Sequence, residues 1–316
     1  MKNVWLSKFR AFSIILAIIV FAVSVFSFNS IPANSANIAK DYIIYDAATG
    51  TKKSEYSLTV EHGEQPMPRA VIDTDERQID WSKSGVVKIC GYEENTNKRK
   101  LLGTGFVVGK HAIATAAHVV SDYKNSSFHP SRINSVKLFN ADGTLNKTLF
   151  ASNTDMEYHV PAEFYTDDWS YTCDYAVITV AEDLSKYQCF DLGYVQDSLI
   201  KSNSASISIT GFPKEVRNEV VNTYSIHNMY TGVGTLLNPV EIDKNFTNDL
   251  VYYNVDTTGG NSGSPAYITE TVRGKTFYTV IGMLNSGDLM PNPKYNFGVR
   301  FDSDVLKFYK GNINIQ

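Results

Sequence analysis

Gly259-Gly260-Asn261-Ser262-Gly263-Ser264-Pro265 lies between two strand-like segments, 250–255 and 266–269. A run so rich in glycine between strands predicts a tight turn whose backbone adopts conformations that other residues resist. Such a turn aims several backbone N–H groups into one small volume. Ser262 puts a hydroxyl in the middle of it. A nucleophilic hydroxyl beside converging N–H groups is what acyl transfer needs, because the oxyanion must be stabilised where it forms. The competing reading is a plain Gly/Ser loop, and the rest of the chain has to decide between the two.

Working outward, short strand-like segments separated by Gly, Asn, Asp or Pro recur from Val71 onward: 86–92, 105–108, 112–115, 136–139, 175–180, 205–210, 228–233, 251–255, 276–283 and 297–301. Many short strands with few helical periods predict an all-β sandwich or barrel. The 19 Tyr and 17 Phe agree with this, since aromatic side chains suit a pleated surface. One segment differs: 303–310 offers Ser303 as an N-cap, Asp304 early, an apolar face and Lys307 and Lys310 late, so a short C-terminal helix is expected. No internal repeat is visible.

The 316 residues are 43% hydrophobic with a formal net charge of -4, an ordinary globular composition that argues against nucleic acid as a partner. The N-terminus reads differently. Lys2, Lys8 and Arg10 precede an apolar run from Ala11 to Phe28, and small residues follow at Ala33 and Ala36. This predicts a secretory signal over 1–36, with an uncleaved anchor and cell-surface retention as the alternative. Residues 37–70 are polar and end in Gln65-Pro66-Met67-Pro68-Arg69, which predicts an exposed, protease-accessible stretch. A propeptide over 37–70 is the functional reading and a flexible arm the bland one. Three cysteines, Cys90, Cys173 and Cys189, leave at least one thiol unpaired, so the fold does not rest on a disulfide framework. A Cys173–Cys189 bridge is conceivable.

Three segments carry candidate chemistry. In Thr115-Ala116-Ala117-His118 a histidine ends a strand, and the small alanines let the backbone pack closely before it. An isolated histidine is more often an ordinary core or surface residue. In Asp174-Tyr175-Ala176-Val177 a carboxylate precedes a buried-looking strand, where it needs a partner; a turn residue is the simpler reading, and Asp167 and Asp168 nearby read as solvated. Ser262 completes the set. The order His118, Asp174, Ser262 is that of the chymotrypsin-type triad, not of subtilisins or α/β-hydrolases. His62, His111, His129, His159 and His227 show no metal-ligand spacing, so no metal or cofactor is expected for the chemistry, with a structural calcium ion left open.

These motifs, with Gly260-Asn261-Ser262-Gly263-Ser264-Pro265, resemble the trypsin-like serine endopeptidases and more narrowly the bacterial glutamyl endopeptidase branch. The resemblance covers about residues 71–310. It includes Val71-Ile72-Asp73-Thr74-Asp75-Glu76-Arg77-Gln78-Ile79, similar to the mature N-terminus of that branch, and the Gly211-Phe212-Pro213 turn. It implies two six-stranded antiparallel β-barrels over 71–316 with the active site between them. His118 and Asp174 come from the first and Ser262 from the second, and the Gly260 and Ser262 N–H groups form the oxyanion hole. It further implies a secreted, zymogen-derived, monomeric enzyme that acts on proteins or peptides and meets a membrane only during export. The primary pocket falls on Asp256, Thr257, Leu284, Asn285 and Arg300. The branch places a histidine where this chain has Leu284. Thr257 matches a branch residue, whereas Asp256 stands where trypsin carries its selector for Arg or Lys. Arg300 either points inward to neutralise Asp256 or meet an acidic side chain, or lies solvated. Preference for acidic (Glu) residues, cleavage after Arg or Lys, a silent protease-fold binding module and an esterase are the readings to separate.

Overall fold

The computed structural model describes residues 38–49, 51–60, 75–92, 99–124, 127–130, 133–153, 155–165, 171–216, 219–220, 228–242, 249–287 and 294–313. The expected signal 1–36, the stretch 61–74 with its cleavage region, and Asp167 and Asp168 lie outside them. Among the described residues no helix is long and apolar enough to cross a membrane.

The fold is built from strands, as expected. The first half contributes β1 (Ile38–Asp46), β2 (Lys52–Val60), β3 (Gln78–Ile79), β4 (Val86–Tyr92), β5 (Arg99–Gly109), β6 (Ala112–Thr115), β7 (Ser121–Lys124), β8 (Ser127–Pro130), β9 (Ile133–Phe139), β10 (Leu145–Phe150), β11 (Glu157–Pro161) and β12 (Ala176–Thr179). The second contributes β13 (Asp191–Leu192), β14 (Ser206–Gly211), β15 (Glu215–Val216), β16 (Glu219–Val220), β17 (Tyr230–Leu237), β18 (Leu250–Tyr253), β19 (Pro265–Val272), β20 (Lys275–Gly287) and β21 (Asn296–Arg300). In the second half β20, β19, β14, β17, β18 and β21 follow one another, and β20 also pairs with β21, which closes a six-stranded barrel. In the first half a sheet of nine strands runs β10-β9-β4-β5-β6-β12-β11-β1-β2.

The composition of the strands explains their burial. β4 and β6 are buried along almost their whole length, because one face lines the sheet interior and the other meets neighbouring layers. Phe106, Val107, Ile113, Val136, Tyr158 and Ile178 fill the first interior. Ile207, Ile209, Leu236, Val251, Val255 and Ile281 fill the second.

The two strands β1 and β2 are what the sequence reading did not foresee. Residues assigned there to a propeptide form a hairpin on the outer edge of β11, with Tyr42 opposite Pro161 and Asp46 opposite Glu157. Lys52, Lys53, Ser54 and Glu55 on β2 are exposed, and this polar face hid the strand pattern.

The expected helix is present over Ser303–Ile313. Its cap is one residue earlier than read. The Asp302 carboxylate, not Ser303, accepts the N–H groups of Asp304 and Val305, both at 2.9 Å. A carboxylate suits the positive end of a helix better than a hydroxyl does. Helix residues Phe308 and Tyr309 are buried against the first half of the chain, so the last element straps the two halves together.

The three cysteines are free thiols, Cys90 and Cys173 buried and Cys189 partly so. The conceivable Cys173–Cys189 bridge is not formed. The Cys189 sulfur instead packs beside Gly85.

Candidate active site

The serine turn is held by contacts that cross between the two halves. Gly260 and Gly263 have φ of +96° and +80°, the left-handed region that only glycine enters cheaply. A Cβ on Gly263 would stand 2.9 Å from the Ala116 nitrogen and closer still to the Thr104 carbonyl and Thr115 hydroxyl. The small residues before His118 therefore leave room for the turn itself. Gly103 serves the same approach from β5, since a Cβ there would meet the Ser262 carbonyl at 2.8 Å. The adjoining Thr104 N–H donates to the Ser262 carbonyl at 2.8 Å, and the Thr104 hydroxyl donates to the Gly260 carbonyl at 2.9 Å and accepts from the Phe212 N–H at 3.0 Å. Within the turn Ser264 N–H donates to Asn261 and Gly263 N–H to Leu284 on β20, at 2.9 and 2.8 Å.

His118 sits on the short helix Ala117–Val120 that follows β6. Its Nε2 lies 2.7 Å from Ser262 Oγ and its Nδ1 2.7 Å from Asp174 Oδ2. The other carboxylate oxygen of Asp174 accepts the His118 backbone N–H at 2.9 Å. An ionised carboxylate only accepts, so Nδ1 carries the ring proton and Nε2 faces the serine hydroxyl with its lone pair. Asp174 is fully buried and the His118 side chain is 23% exposed, so the imidazole is reachable from outside while its carboxylate partner is not. Charge-assisted hydrogen bonds in such a setting are stronger than neutral ones. A hydroxyl held this way can pass its proton to the imidazole as it attacks a carbonyl carbon.

Asp174 is carried by a single 3-10 turn, Tyr171–Cys173. Asn285, expected to line a pocket, donates through Nδ2 to the Tyr171 carbonyl at 2.8 Å and so ties β20 to that turn. Tyr309 from the C-terminal helix is buried nearby, and burial, with the Asp174 charge adding to it, pushes its hydroxyl pKa well up.

The remaining expected pocket residues divide. Asp256 is buried, and its Oδ2 accepts the Glu76 N–H at 3.1 Å. Thr257 is fully buried, and its hydroxyl has no hydrogen-bond partner among the described residues; leaving one buried and unmet costs about 1–3 kcal/mol. Leu284 packs wholly within the apolar interior of the second barrel. Arg300 is 4% exposed, which rules out the solvated reading. Its guanidinium pairs with Asp197 at 2.8 Å, donates to the Val195 carbonyl at 2.6 Å and lies over the Tyr194 ring. Its charge is thus met by residues ahead of the second barrel.

Arg77 was missed. It is 1% exposed, grips Asp75 with Nε and Nη2 at 2.9 and 2.6 Å, and donates to the Thr258 hydroxyl at 3.1 Å and the Glu215 carbonyl at 2.8 Å. The segment that it anchors continues into β3, which pairs with β17. An arginine amid Asp73, Asp75 and Glu76 looks solvated in sequence, and only the fold shows that it is enclosed. Among the described residues no group of three or more His, Cys, Asp or Glu is placed to hold a metal ion.

Comparisons with known proteins agree with the fold. A Glu endopeptidase solved in complex with MPD superposes with a TM-score of 0.55 at 20% identity, covering 77% of this chain and 99% of that one. A thermostable serine protease from an extremophilic microorganism gives 0.52 at 15% identity, covering 75% and 100%. A glutamyl endopeptidase of Bacillus licheniformis is 24% identical over 204 residues, 64% of this chain; the chain spans 57% of the length of that curated relative. Residues 103–272, more than half of the chain, match the model of the trypsin-like peptidase domain, and the chain belongs to that family.

Proposed function

We propose that the protein is a secreted serine endopeptidase. The observation that carries this is the relay from Ser262 through His118 to Asp174, closed by two contacts of 2.7 Å, of which the Ser262–His118 contact crosses between the two halves of the fold. Ser262 Oγ attacks the peptide carbonyl while His118 Nε2 takes its proton. The Gly260 and Ser262 N–H groups receive the oxyanion. His118 then gives the proton to the leaving amine, and water hydrolyses the acyl-enzyme by the same steps in reverse roles. Asp174 holds the ring in the required tautomer and stabilises its charged form. A fluorophosphonate probe should label Ser262 in the wild type and not in Ser262→Ala. Absence of an adduct on the folded wild-type protein would point instead to a silent binding module.

For the residue before the cut, the relative's name suggests glutamate, and the unmet Thr257 hydroxyl supports a polar substrate side chain there. The Asp256 carboxylate favours the second reading, Arg or Lys, because a buried negative charge attracts a cation and repels a carboxylate. Digestion of a mixed peptide pool with the cut sites mapped separates them. Cuts after Glu support the branch reading, and cuts after Arg or Lys assign the pocket to Asp256. Processing after Arg69 or Ala70 is part of the proposal; N-terminal sequencing of the active form checks it, and an active form starting near Ala36 overturns it.

A further inference from the structure

The hairpin β1–β2 is bound into the first sheet through five paired positions of β1 and β11. β1 pairs with β11 along Tyr42–Asp46, and the chain continues the bonding beyond the strand. Ala47 N–H donates to the Met156 carbonyl at 2.9 Å, and the Ala47 carbonyl accepts from Ile133 N–H at 3.2 Å. Lys53 on β2 pairs with Glu157. Without the hairpin, β11 becomes an open edge with a row of unpaired N–H and C=O groups beside the buried Tyr158 and Val160.

One side chain reaches further. Tyr42 is fully buried, and its ring stacks on Phe308 of the C-terminal helix with centroids 4.8 Å apart and planes 20° from parallel. Its hydroxyl lies 3.0 Å from that of Tyr175, the residue after Asp174. The Tyr175 ring in turn meets Phe308 edge-on at 5.1 Å. Tyr42, Tyr175 and Phe308 thus form one aromatic clamp around the residue that follows Asp174 in the chain.

The two ends of the joining stretch 61–74 are anchored separately. The hairpin on one side belongs to the first sheet, while Asp75–Arg77 and β3 on the other side belong to the second. A cut anywhere in 61–74 therefore breaks the chain between two independently held elements.

We infer that the hairpin Ile38–Val60 is a permanent structural part of the working enzyme, which stays docked on β11 as a separate peptide after cleavage in 61–74 and, through Tyr42, positions the Asp174 turn. The positioning half rests on the reading of Asp174 given under Proposed function; the docking half does not. Tyr42 acts chiefly through its ring on Phe308 and so on Tyr175, and touches no reacting atom, so it is a positioning residue.

The test of docking uses the full chain carrying Ser262→Ala, which removes self-cleavage, with the recognition sequence of a site-specific protease inserted in 61–74. After a complete cut, seen by denaturing mass measurement, the hairpin fragment should co-elute with the remainder in native size exclusion and separate from it in denaturant. Elution of the fragment apart from a folded remainder would overturn the proposal. Positioning is read in the active chain. Tyr42→Ala should lower kcat by about 10- to 100-fold with KM held within about twofold, as expected when a reacting group is displaced by around an ångström. Tyr42→Phe, which keeps the stacked ring, should recover most of that loss. Unchanged kcat in a folded Tyr42→Ala, or equal losses in both variants, would refute the clamp. If the wild type neither turns over peptides nor takes the fluorophosphonate probe, it is the peptidase reading that fails, and the docking result stands by itself.

Discussion

Asp174→Asn is the sharpest perturbation of the relay, because it keeps the shape and removes the charge. In the structure the two carboxylate oxygens accept two different donors of one residue, the backbone N–H of His118 at 2.9 Å and its Nδ1–H at 2.7 Å. Asparagine can accept only one of them. If its oxygen keeps the backbone N–H, its NH2 group faces Nδ1 and forces the proton to the other ring nitrogen. Nε2–H then points at Ser262 Oγ and cannot take the hydroxyl proton. A wrong tautomer in a triad of this kind costs about 10,000-fold in kcat, equivalent to about 5.4 kcal/mol of barrier. Stability should suffer less. A charge-assisted bond gives way to a neutral one in a fully buried place, a loss of about 1–2 kcal/mol. The assay is kcat and KM on a cleaved peptide alongside a denaturant melt. A tenfold or smaller loss of kcat with the melt unchanged would refute the assignment of Asp174 as the residue that orients His118.

Three further outcomes are expected. Gly263→Ala should destabilise the fold by about 2–4 kcal/mol and abolish probe labelling of Ser262, since the new Cβ meets the Ala116 nitrogen at 2.9 Å in a backbone with φ of +80°; a labelled, equally stable variant would contradict this. His159 is buried, and burial pushes its imidazole from the ordinary 6.5 down to about 4. The unfolded chain therefore takes up the proton first, and stability should fall by up to about 3 kcal/mol as pH drops from about 6.5 towards 4; His159→Leu should flatten that acid limb in denaturant melts, and an unchanged slope would count against it. Thiol titration of the unfolded chain without reductant should find all three cysteines. In the folded protein Cys189 should react slowly at pH 8, because burial pushes its thiol up to about 11.

Much of the site could be read from residue order, because its chemistry leaves local marks. Glycines at positive φ, alanines before His118 and an acid at the head of a strand are short-range signals, and each survived as a contact. Strands of the first sheet were legible for the same reason: 86–92 and 112–115 coincide with β4 and β6. What escaped depends on partners far away in the chain. Arg77 is enclosed by Asp75, Thr258 and Glu215, the last two more than a hundred residues downstream. Arg300 finds Asp197 rather than solvent for the same reason. Asn285 looks like a pocket residue by position but spends its amide on the Tyr171 carbonyl. The hairpin β1–β2 was hidden because one strand shows a polar face outward, so its alternation carries little apolar contrast.

The helix Ser303–Ile313 has a consequence for how the molecule comes into being. It is made after every residue of the relay, yet Phe308 and Tyr309 pack against the first half of the chain, on Tyr175 next to Asp174. A nascent chain that has already emerged beyond Ser262 still lacks the aromatic packing on Tyr175, the neighbour of the carboxylate. The relay should therefore reach its working geometry only after this helix has been made and has docked, however early Ser262 itself emerges.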